Sequence, residues 1–300
     1  YHFATEYQRE HFLKPLLEGT ARSCFSMTEP EVAGSDPTLI QTSAVEDGDD
    51  WVINGHKWFT SGAEGADFAI VIARTDPDAE IPQARNSAFI VPTASEGFEI
   101  VRDVETMGGR HNHPEIKYKN VRVPKTHLLG ERGGGHKLGQ VRLGPARLAH
   151  CMRWLGQIEM ALEMLIDRAQ KRFAHGSYLS EKQSIQWMMS DSAMELYASK
   201  LMVLHAAYKI EQGLEFKQEV SMAKHHVANT LWRVIDRAMQ VHGALGYSTD
   251  TPLAGMMQQA RWARLADGAD EVHQMRIAEL LMRAYNEDGS VNQAVGGLPL

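Results

Sequence analysis

The stretch ARLAHCMRWLGQIEMALEMLIDRAQKRF, Ala146–Phe173, decides the fold. Its apolar residues Leu148, Met152, Leu155, Ile158, Leu162, Leu165, Ala169 and Phe173 recur every three or four positions, the stripe of a helix buried on one face. Upstream the period is different. DFAIVIART (67–75), NSAFIVPT (86–93), FEIV (98–101) and IKYKNVRV (116–123) are β-branched or aromatic runs, punctuated by the turn chemistry of EDGDD, NG, TDPD and ASEG. That density of strands between Cys24 and about Leu129 predicts a small β barrel or sandwich. GERGGGHKLG (130–139) reads as a linker, with helical periodicity from about Val141.

Three more helices follow. SEKQ (180–183) has the form of a capping box, Ser180 with Gln183, opening a helix with Ile185, Met189, Ala193, Leu196, Val203, Ala207 and Ile210 on one face. The next carries Val220, Ala223, Val227, Leu231, Val234, Ala238 and Val241 and stops near Gly243. The last starts near Asp270 with Val272, Met275 and Leu281. Long helices with short links predict an antiparallel four-helix bundle, giving an α+β, multi-domain chain. The expected domains are 21–133 for the β part and 134–290 for the bundle, with a tail at 291–300. Residues 1–20 read as the end of a helix, and the expectation is that the natural start lies upstream.

At 300 residues, 43% hydrophobic and 23% charged, the composition is that of a soluble globular protein with room for two domains. A net charge of −7 argues against a nucleic-acid backbone as main partner. Two cysteines, Cys24 and Cys151, exclude a disulfide framework and suit a reducing compartment. There is no apolar run long enough to span a bilayer. A di-iron bundle needs two Glu-x-x-His pairs, and the nearest approach is a single Asp270-x-x-His273. His111 and His113 lack zinc-spaced partners. No dinucleotide-binding or Walker glycine pattern occurs.

Several stretches have a plain reading and a functional one. SMTEPEVAGSD (26–36) is a surface loop, or a set of hydroxyls and amides for a flat polar ring or a phosphate. In INGHKWFTSG (53–62), Asn54-Gly55 suggests a hairpin turn, and Trp58 is either core or the wall of an aromatic site. Arg147 is a surface cation or a site residue. Arg172 complements a helix C-terminus or clamps a pyrophosphate. QVHGALGY (240–247) contains a helix cap or a close backbone approach. RLADGADEVH (264–273) holds Asp267, Asp270 and Glu271, any of which is a cap or a chemical group.

Taken in order, MTEPEVAGSD, WVINGHKWFTSG, QVHGALGY and RLADGADEVH resemble the acyl-CoA dehydrogenase family, over about Phe12 to Tyr285. The resemblance implies a helical N-terminal domain, here represented only by residues 1–20, then a β domain and a four-helix bundle that together hold FAD. It implies that Phe25, Met27, Thr28 and Ser35 line the isoalloxazine or the adjoining substrate mouth, with Trp58 and Thr60 completing the flavin wall. Arg172 and Gln183 correspond to contacts for the pyrophosphate and adenosine. Gln240, Gly243 and Ala244 correspond to contacts across a subunit interface, hence a homodimer or homotetramer. Ala269 and Glu271 stand at cofactor-contacting positions usually held by threonine and glutamine. Arg147, Ser35 and Gly268 correspond to substrate-side positions.

The implied reaction is α,β-dehydrogenation of an acyl-CoA thioester to a trans-2-enoyl-CoA, with hydride passing to flavin N5. An electron-transfer flavoprotein is the implied acceptor. The base is usually a glutamate in a YEGT setting; here Asp267 in ADGA takes its place, about 1.5 Å shorter in reach. That leaves two chemistries, a dehydrogenase with an aspartate base or a related flavin oxidase of the nitroalkane-oxidase kind. A non-catalytic helical interaction module is the alternative from another class. Bacterial cytoplasm, mitochondrial matrix and peroxisome all remain open as compartments.

Overall fold

The computed structural model describes residues 1–290, so the tail expected at 291–300 lies outside the described residues. The chain forms two compact units, one ending at Arg142 and the other starting at Leu143.

The first unit opens with a helical segment, 6–17, whose entry is capped reciprocally by Thr5 and Gln8. Gln8 is buried and donates through Nε2 to the carbonyls of Thr126 and Leu128. Eight strands then form one mixed sheet: β1 (Ser23–Ser26), β2 (Ser43–Asp47), β3 (Asp50–Lys57), β4 (Phe68–Arg74), β5 (Asn86–Pro92), β6 (Phe98–Asp103), β7 (Pro114–Pro124) and β8 (Leu128–Leu129). Their order is β6-β7-β3-β2-β4-β5-β8, with β1 parallel to β4 along Ser23–Ser26 opposite Phe68–Val71. The uninterrupted apolar runs of β4 and β5 are buried nearly throughout, while β7 alternates buried and exposed residues. Trp51, Ile53, Val71, Phe89, Ile116 and Val121 close the core.

Two local readings change. Asn54-Gly55 is not the hairpin turn. It lies within β3, where the register against β7 shifts between Ile53 and Gly55, a β-bulge. The β2–β3 turn is made instead at Asp47–Asp50, with Gly48 at φ 63°. The glycine run is not wholly a linker either, since helix α1 (Gly135–Lys171) begins inside it. A Cβ on Gly135 would stand 2.8 Å from the Ser87 carbonyl carbon, so a glycine is what lets this helix start against β5.

One ion pair holds the loop after β1. Lys57, at the end of β3, has no exposed surface; its Nζ donates to Glu29 Oε1 at 2.9 Å and to the Met27 carbonyl at 2.7 Å. Glu29, also buried, accepts the amides of Gln41 and Thr42 at 2.7 and 2.8 Å. Burial drives Lys57 down to about 8, opposed by attraction to Glu29, whose own carboxyl is held below its ordinary value by Lys57 and these amides despite desolvation.

In the second unit α1 continues through Pro145 without a break, followed by α2 (Gln183–Glu211), α3 (Lys217–His242), α4 (Leu253–Ala263) and α5 (Asp270–Asp288). The expected face of α3 is buried at every position from Val220 to Val241. On α1 the buried line is Leu148, Cys151, Trp154, Ile158, Leu165 and Ala169, whereas Met152 and Phe173 are exposed. Phe173 has left the helix for a two-residue strand, Phe173–Ala174, paired with Ser177–Tyr178. The capping box at Ser180 does not form. A 3-10 turn, Leu179–Glu181, intervenes, α2 starts at Gln183 after Lys182 with no side-chain cap, and the Ser180 carbonyl instead accepts from the Gln186 amide at 3.0 Å. Helix α4 is an element the periodicity did not announce; its small residues, Ala254, Gly255, Ala260 and Ala263, dilute the stripe. Among the described residues no helix is long and apolar enough to cross a membrane.

Lys57→Met leaves the Glu29 carboxylate buried without its cation. The expected loss of unfolding free energy is about 3–5 kcal/mol, read from urea denaturation.

Candidate active site

The loop between α4 and α5 carries Asp267, and it is closed on itself. Arg264 Nε donates to Asp270 Oδ2 at 2.7 Å, and the Asp270 amide donates back to the Arg264 carbonyl at 3.1 Å. Asp270 is therefore the first residue of α5 and its side chain does not cap the helix; Ala269 holds the capping position. Asn229 from α3 donates to the same Asp270 oxygen at 3.0 Å. Arg264 and Asn229 keep the Asp270 carboxyl below its ordinary value against desolvation. An acid in the first turn also suits the positive end of the helix dipole.

Two cations pin the loop's carbonyls. Arg147 Nε, from α1, donates to the Asp267 carbonyl at 2.8 Å. Lys224 Nζ, from α3, donates to the Gly268 carbonyl at 2.6 Å. Lys224 has no exposed surface, and burial brings its ammonium down to about 8 despite attraction to Asp270. Arg147 is likewise lowered by burial. The backbone is left-handed at both residues, φ 52° at Asp267 and 107° at Gly268. Aspartate tolerates that region better than most residues with a side chain. At 268 a Cβ would lie 2.9 Å from His273 Nε2, so glycine is required twice over.

The Asp267 carboxylate is 24% exposed and faces His150, whose Nε2 lies 3.1 Å from Oδ2. His150 stacks on Trp154 (centroids 5.5 Å apart, planes at 23°) and meets the edge of Trp262 at 5.4 Å. Helical spacing explains the cluster: Arg147, His150 and Trp154 share one face of α1. Beneath the loop, His273 is buried and lowered to about 4, by desolvation first and then by Lys224 and Arg147, against Asp270 and a hydrogen bond to the Asp267 backbone.

In the first unit several of the expected residues lie in or beside the loop after β1. Met27 and Thr28 are half-buried, their carbonyls taken by Lys57 Nζ and by the Trp58 amide at 3.0 Å. The Trp58 indole Nε1 is buried without a hydrogen-bond partner. Phe25 is covered by the Arg142 guanidinium at 4.6 Å, and Ser35 is exposed. The Thr60 side chain is fully buried in a hydroxyl chain, 3.2 Å from Ser26 Oγ, which in turn accepts from the Tyr118 hydroxyl at 2.9 Å. In the second unit the structure brings Arg147, Asp267 and Gly268 together, with Ala269 next in the loop. Arg172, Gln183, Gln240, Gly243, Ala244 and Glu271 are exposed, and Arg172 forms no ion pair among the described residues.

His150, Lys224, Trp154 and Trp262 escaped the sequence reading, and His273 entered it only in the incomplete di-iron pattern. His150 had a usable signal, its place three residues after Arg147 on a helix. Lys224 and His273 had none, since a polar residue on a buried face looks the same as one at the stripe's margin.

The family model for the acyl-CoA dehydrogenase middle domain matches residues 24–121, and that for the acyl-CoA dehydrogenase C-terminal domain matches residues 133–282. The Mycobacterium tuberculosis protein named "Probable acyl-CoA dehydrogenase FadE2" is 46% identical over 282 residues, covering 92% of this chain and 69% of that protein. Mouse acyl-CoA dehydrogenase family member 10 is 40% identical over 94% of this chain, which spans only 27% of that protein's length. Among solved structures, butyryl-CoA dehydrogenase of Megasphaera elsdenii aligns with a TM-score of 0.87 at 32% identity, over 94% of this chain and 73% of its own. A chain from the electron transferring flavoprotein structure of Acidaminococcus fermentans gives 0.88 at 32% identity, over 94% and 74%.

His273 sets a pH dependence. Its folded value is depressed, so the stability it confers is complete above about 6.5 and is lost as pH falls towards 4, where the unfolded chain takes up the proton first. Between those limits the wild type is expected to lose on the order of 3 kcal/mol that His273→Gln does not lose, measured by urea unfolding across the window.

Proposed function

Because the chain belongs to the acyl-CoA dehydrogenase family, a family of flavoproteins, we propose that it binds FAD and dehydrogenates an acyl-CoA thioester to the trans-2-enoyl-CoA, with Asp267 as the base. The observation that carries this reading is the Asp267 loop itself. A part-exposed carboxylate is offered on a backbone fixed by Arg147 and Lys224.

The residues present suit the cofactor. Trp58 Nε1 is a buried donor without a partner, the kind of group an acceptor on a flat ligand satisfies. Arg172 offers an exposed guanidinium without an ion pair among the described residues, suited to a pyrophosphate. Met27, Thr28, Ser35 and Phe25 would border the ring, and Gln183, Ala269 and Glu271 the rest. When bound, FAD supplies the acceptor for the β-hydrogen.

Asp267 takes the α-proton, forming an O–H bond as the C–H bond breaks. An ordinary carboxylate is far too weak for this in water, so the work falls to water exclusion and to a polarised thioester carbonyl. Trp154 and Trp262 pack on His150, the ring beside the carboxylate, and bring apolar surface to it. Arg147 and Lys224 place two positive charges against the loop, favouring the negative charge that develops as the α-carbon loses its proton. The backbone at 267 is left-handed, which supports a redirected side chain as the compensation for a shorter acid.

A homodimer or homotetramer accompanies this reading. The α2 residues Trp187, Met194, Leu201 and Tyr208 are spaced by seven and exposed, as are Tyr197 and Leu204 between them, a stripe suited to a second copy. Gln240, Gly243 and Ala244 are also exposed, in keeping with contacts across such an interface. An electron-transfer flavoprotein is the proposed acceptor, supported by the similarity to the chain from Acidaminococcus.

Asp267→Asn is expected to keep FAD and to lose bleaching by acyl-CoA under anaerobic conditions; bleaching at the wild-type rate ends the base assignment. Arg172→Ala is expected to weaken FAD retention by roughly tenfold or more, as read by cofactor loss on dilution. Rapid reoxidation by air with release of peroxide would move the reading to a flavin oxidase.

A further inference from the structure

We propose that Tyr118 is a positioning residue for the cofactor: acting through Ser26, it holds the Thr60 hydroxyl as a hydrogen-bond donor for a flat, acceptor-rich ring beside Trp58. The inference rests on the FAD reading above.

Three buried hydroxyls stand in line inside the first unit. Tyr118, on β7, donates to Ser26 Oγ at 2.9 Å, and Ser26 Oγ lies 3.2 Å from Thr60 Oγ1. Burial raises the Tyr118 phenol above its ordinary value, so its proton stays in place and the link keeps its direction. The three groups hold three protons and make two links, and among the described residues none of the hydroxyls has a further partner. One proton is therefore left over, on Ser26 or on Thr60. Ser26 is the middle member, set in β1 opposite Val71 with a hydroxyl on either side. Thr60 is the end member, in the turn beyond β3. Only the end of such a chain is open to an outside acceptor. With an acceptor there, donation from Tyr118 to Ser26 and from Ser26 to Thr60 satisfies every hydroxyl. Donation back from Thr60 to Ser26 instead strands the Ser26 proton in the interior.

A second donor lies two residues away. The Trp58 indole Nε1 is buried without a partner. The segment between is fixed at both ends, by the Trp58 amide donating to the Thr28 carbonyl at 3.0 Å and the Thr60 amide donating to the Pro114 carbonyl at 3.1 Å. Phe59, held between them, has a left-handed φ of 49°, a strained state for a bulky residue that persists where its surroundings impose it. Phe59 and Ser61 are exposed, so the turn is accessible on both sides of Thr60. Two donors without acceptors on one fixed turn suit a ligand whose edge carries carbonyl oxygens and bare ring nitrogens, as an oxidised isoalloxazine does. Tyr118 acts on that ligand only through the two hydroxyls that follow it.

The test is a double-mutant cycle, Tyr118→Phe against Thr60→Val, read by the FAD dissociation constant and by the midpoint potential of the bound flavin. Tyr118→Phe keeps a ring edge-on to Phe98 and removes only the hydroxyl. Ser26 then receives no proton, and the Thr60 hydroxyl is free to turn inward and donate to it. FAD binding is expected to weaken roughly 3- to 10-fold, and the potential to fall, because a donor to the ring favours its electron-rich reduced state. Thr60→Val is expected to give the same two changes, with Tyr118→Phe adding nothing in that background. Ser26→Ala removes the inward acceptor, so alone or added to Tyr118→Phe it is expected to hold the potential near that of the wild type. Thermal unfolding of each apoprotein reports any loss of packing separately. Wild-type affinity and potential in Tyr118→Phe overturn the proposal, as do additive effects in the cycle or a Ser26→Ala rescue that fails. If Tyr118→Phe does not fold, a Ser26→Ala potential as low as that of Thr60→Val overturns it, and one near wild type supports it. A wild-type protein that takes up no FAD overturns the FAD reading and this proposal with it; FAD uptake that Tyr118→Phe leaves unchanged overturns the positioning role alone.

Discussion

A lysine with no exposed surface holds the loop on which everything else depends. Lys224 sits in the first third of α3, on its buried side, and donates to one backbone carbonyl of the α4–α5 connection. An ammonium in such a place is costly unless its charge is answered, and Asp270, with Asp267 beyond it, answers it. The Arg264–Asp270 closure and the Arg147 contact then follow as parts of one network in which the Asp267 and Gly268 carbonyls and the Asp270 carboxylate each meet a cation. The proposed base is thus embedded in the electrostatics of the bundle core, which sets the geometry before any ligand arrives.

The other unit uses the same device with different residues. Lys57 is as deeply buried as Lys224, and it too fixes a loop by donating to a main-chain carbonyl, that of Met27. In both places irregular backbone is compensated by a buried cation. Such loops cannot be held by strand or helix hydrogen bonds, and flexible polar contacts at the surface would leave them loose.

Much of this was legible beforehand. The change of period after residue 141, the strands at 67–75, 86–93 and 116–123, and the buried face of α3 follow from spacing alone. The failures have local causes. Asn54-Gly55 carries the chemistry of a tight turn, but β7 pairs across it and converts it to a bulge. Ser180 and Gln183 have capping-box spacing, yet the chain is still turning as a 3-10 segment there, so the two residues never bracket a helix start. Motif order picked out Asp267, Gly268 and Arg147, which the fold brings together. It did not find Lys224, His273 or His150, because their importance comes from contacts more than a hundred residues apart for His150 and some forty for Lys224, and no single-strand pattern records such a pairing.

The packing of His150 between Trp154 and Trp262 has an optical consequence. Indole emission responds to the polarity and packing of its surroundings, and two of the six tryptophans of the chain pack on this one ring. The protein thus carries an unlabelled fluorescent reporter at its candidate site. Intrinsic emission, read with the remaining tryptophans replaced, would follow the polarity and packing beside the loop in real time, in the absence of cofactor or substrate.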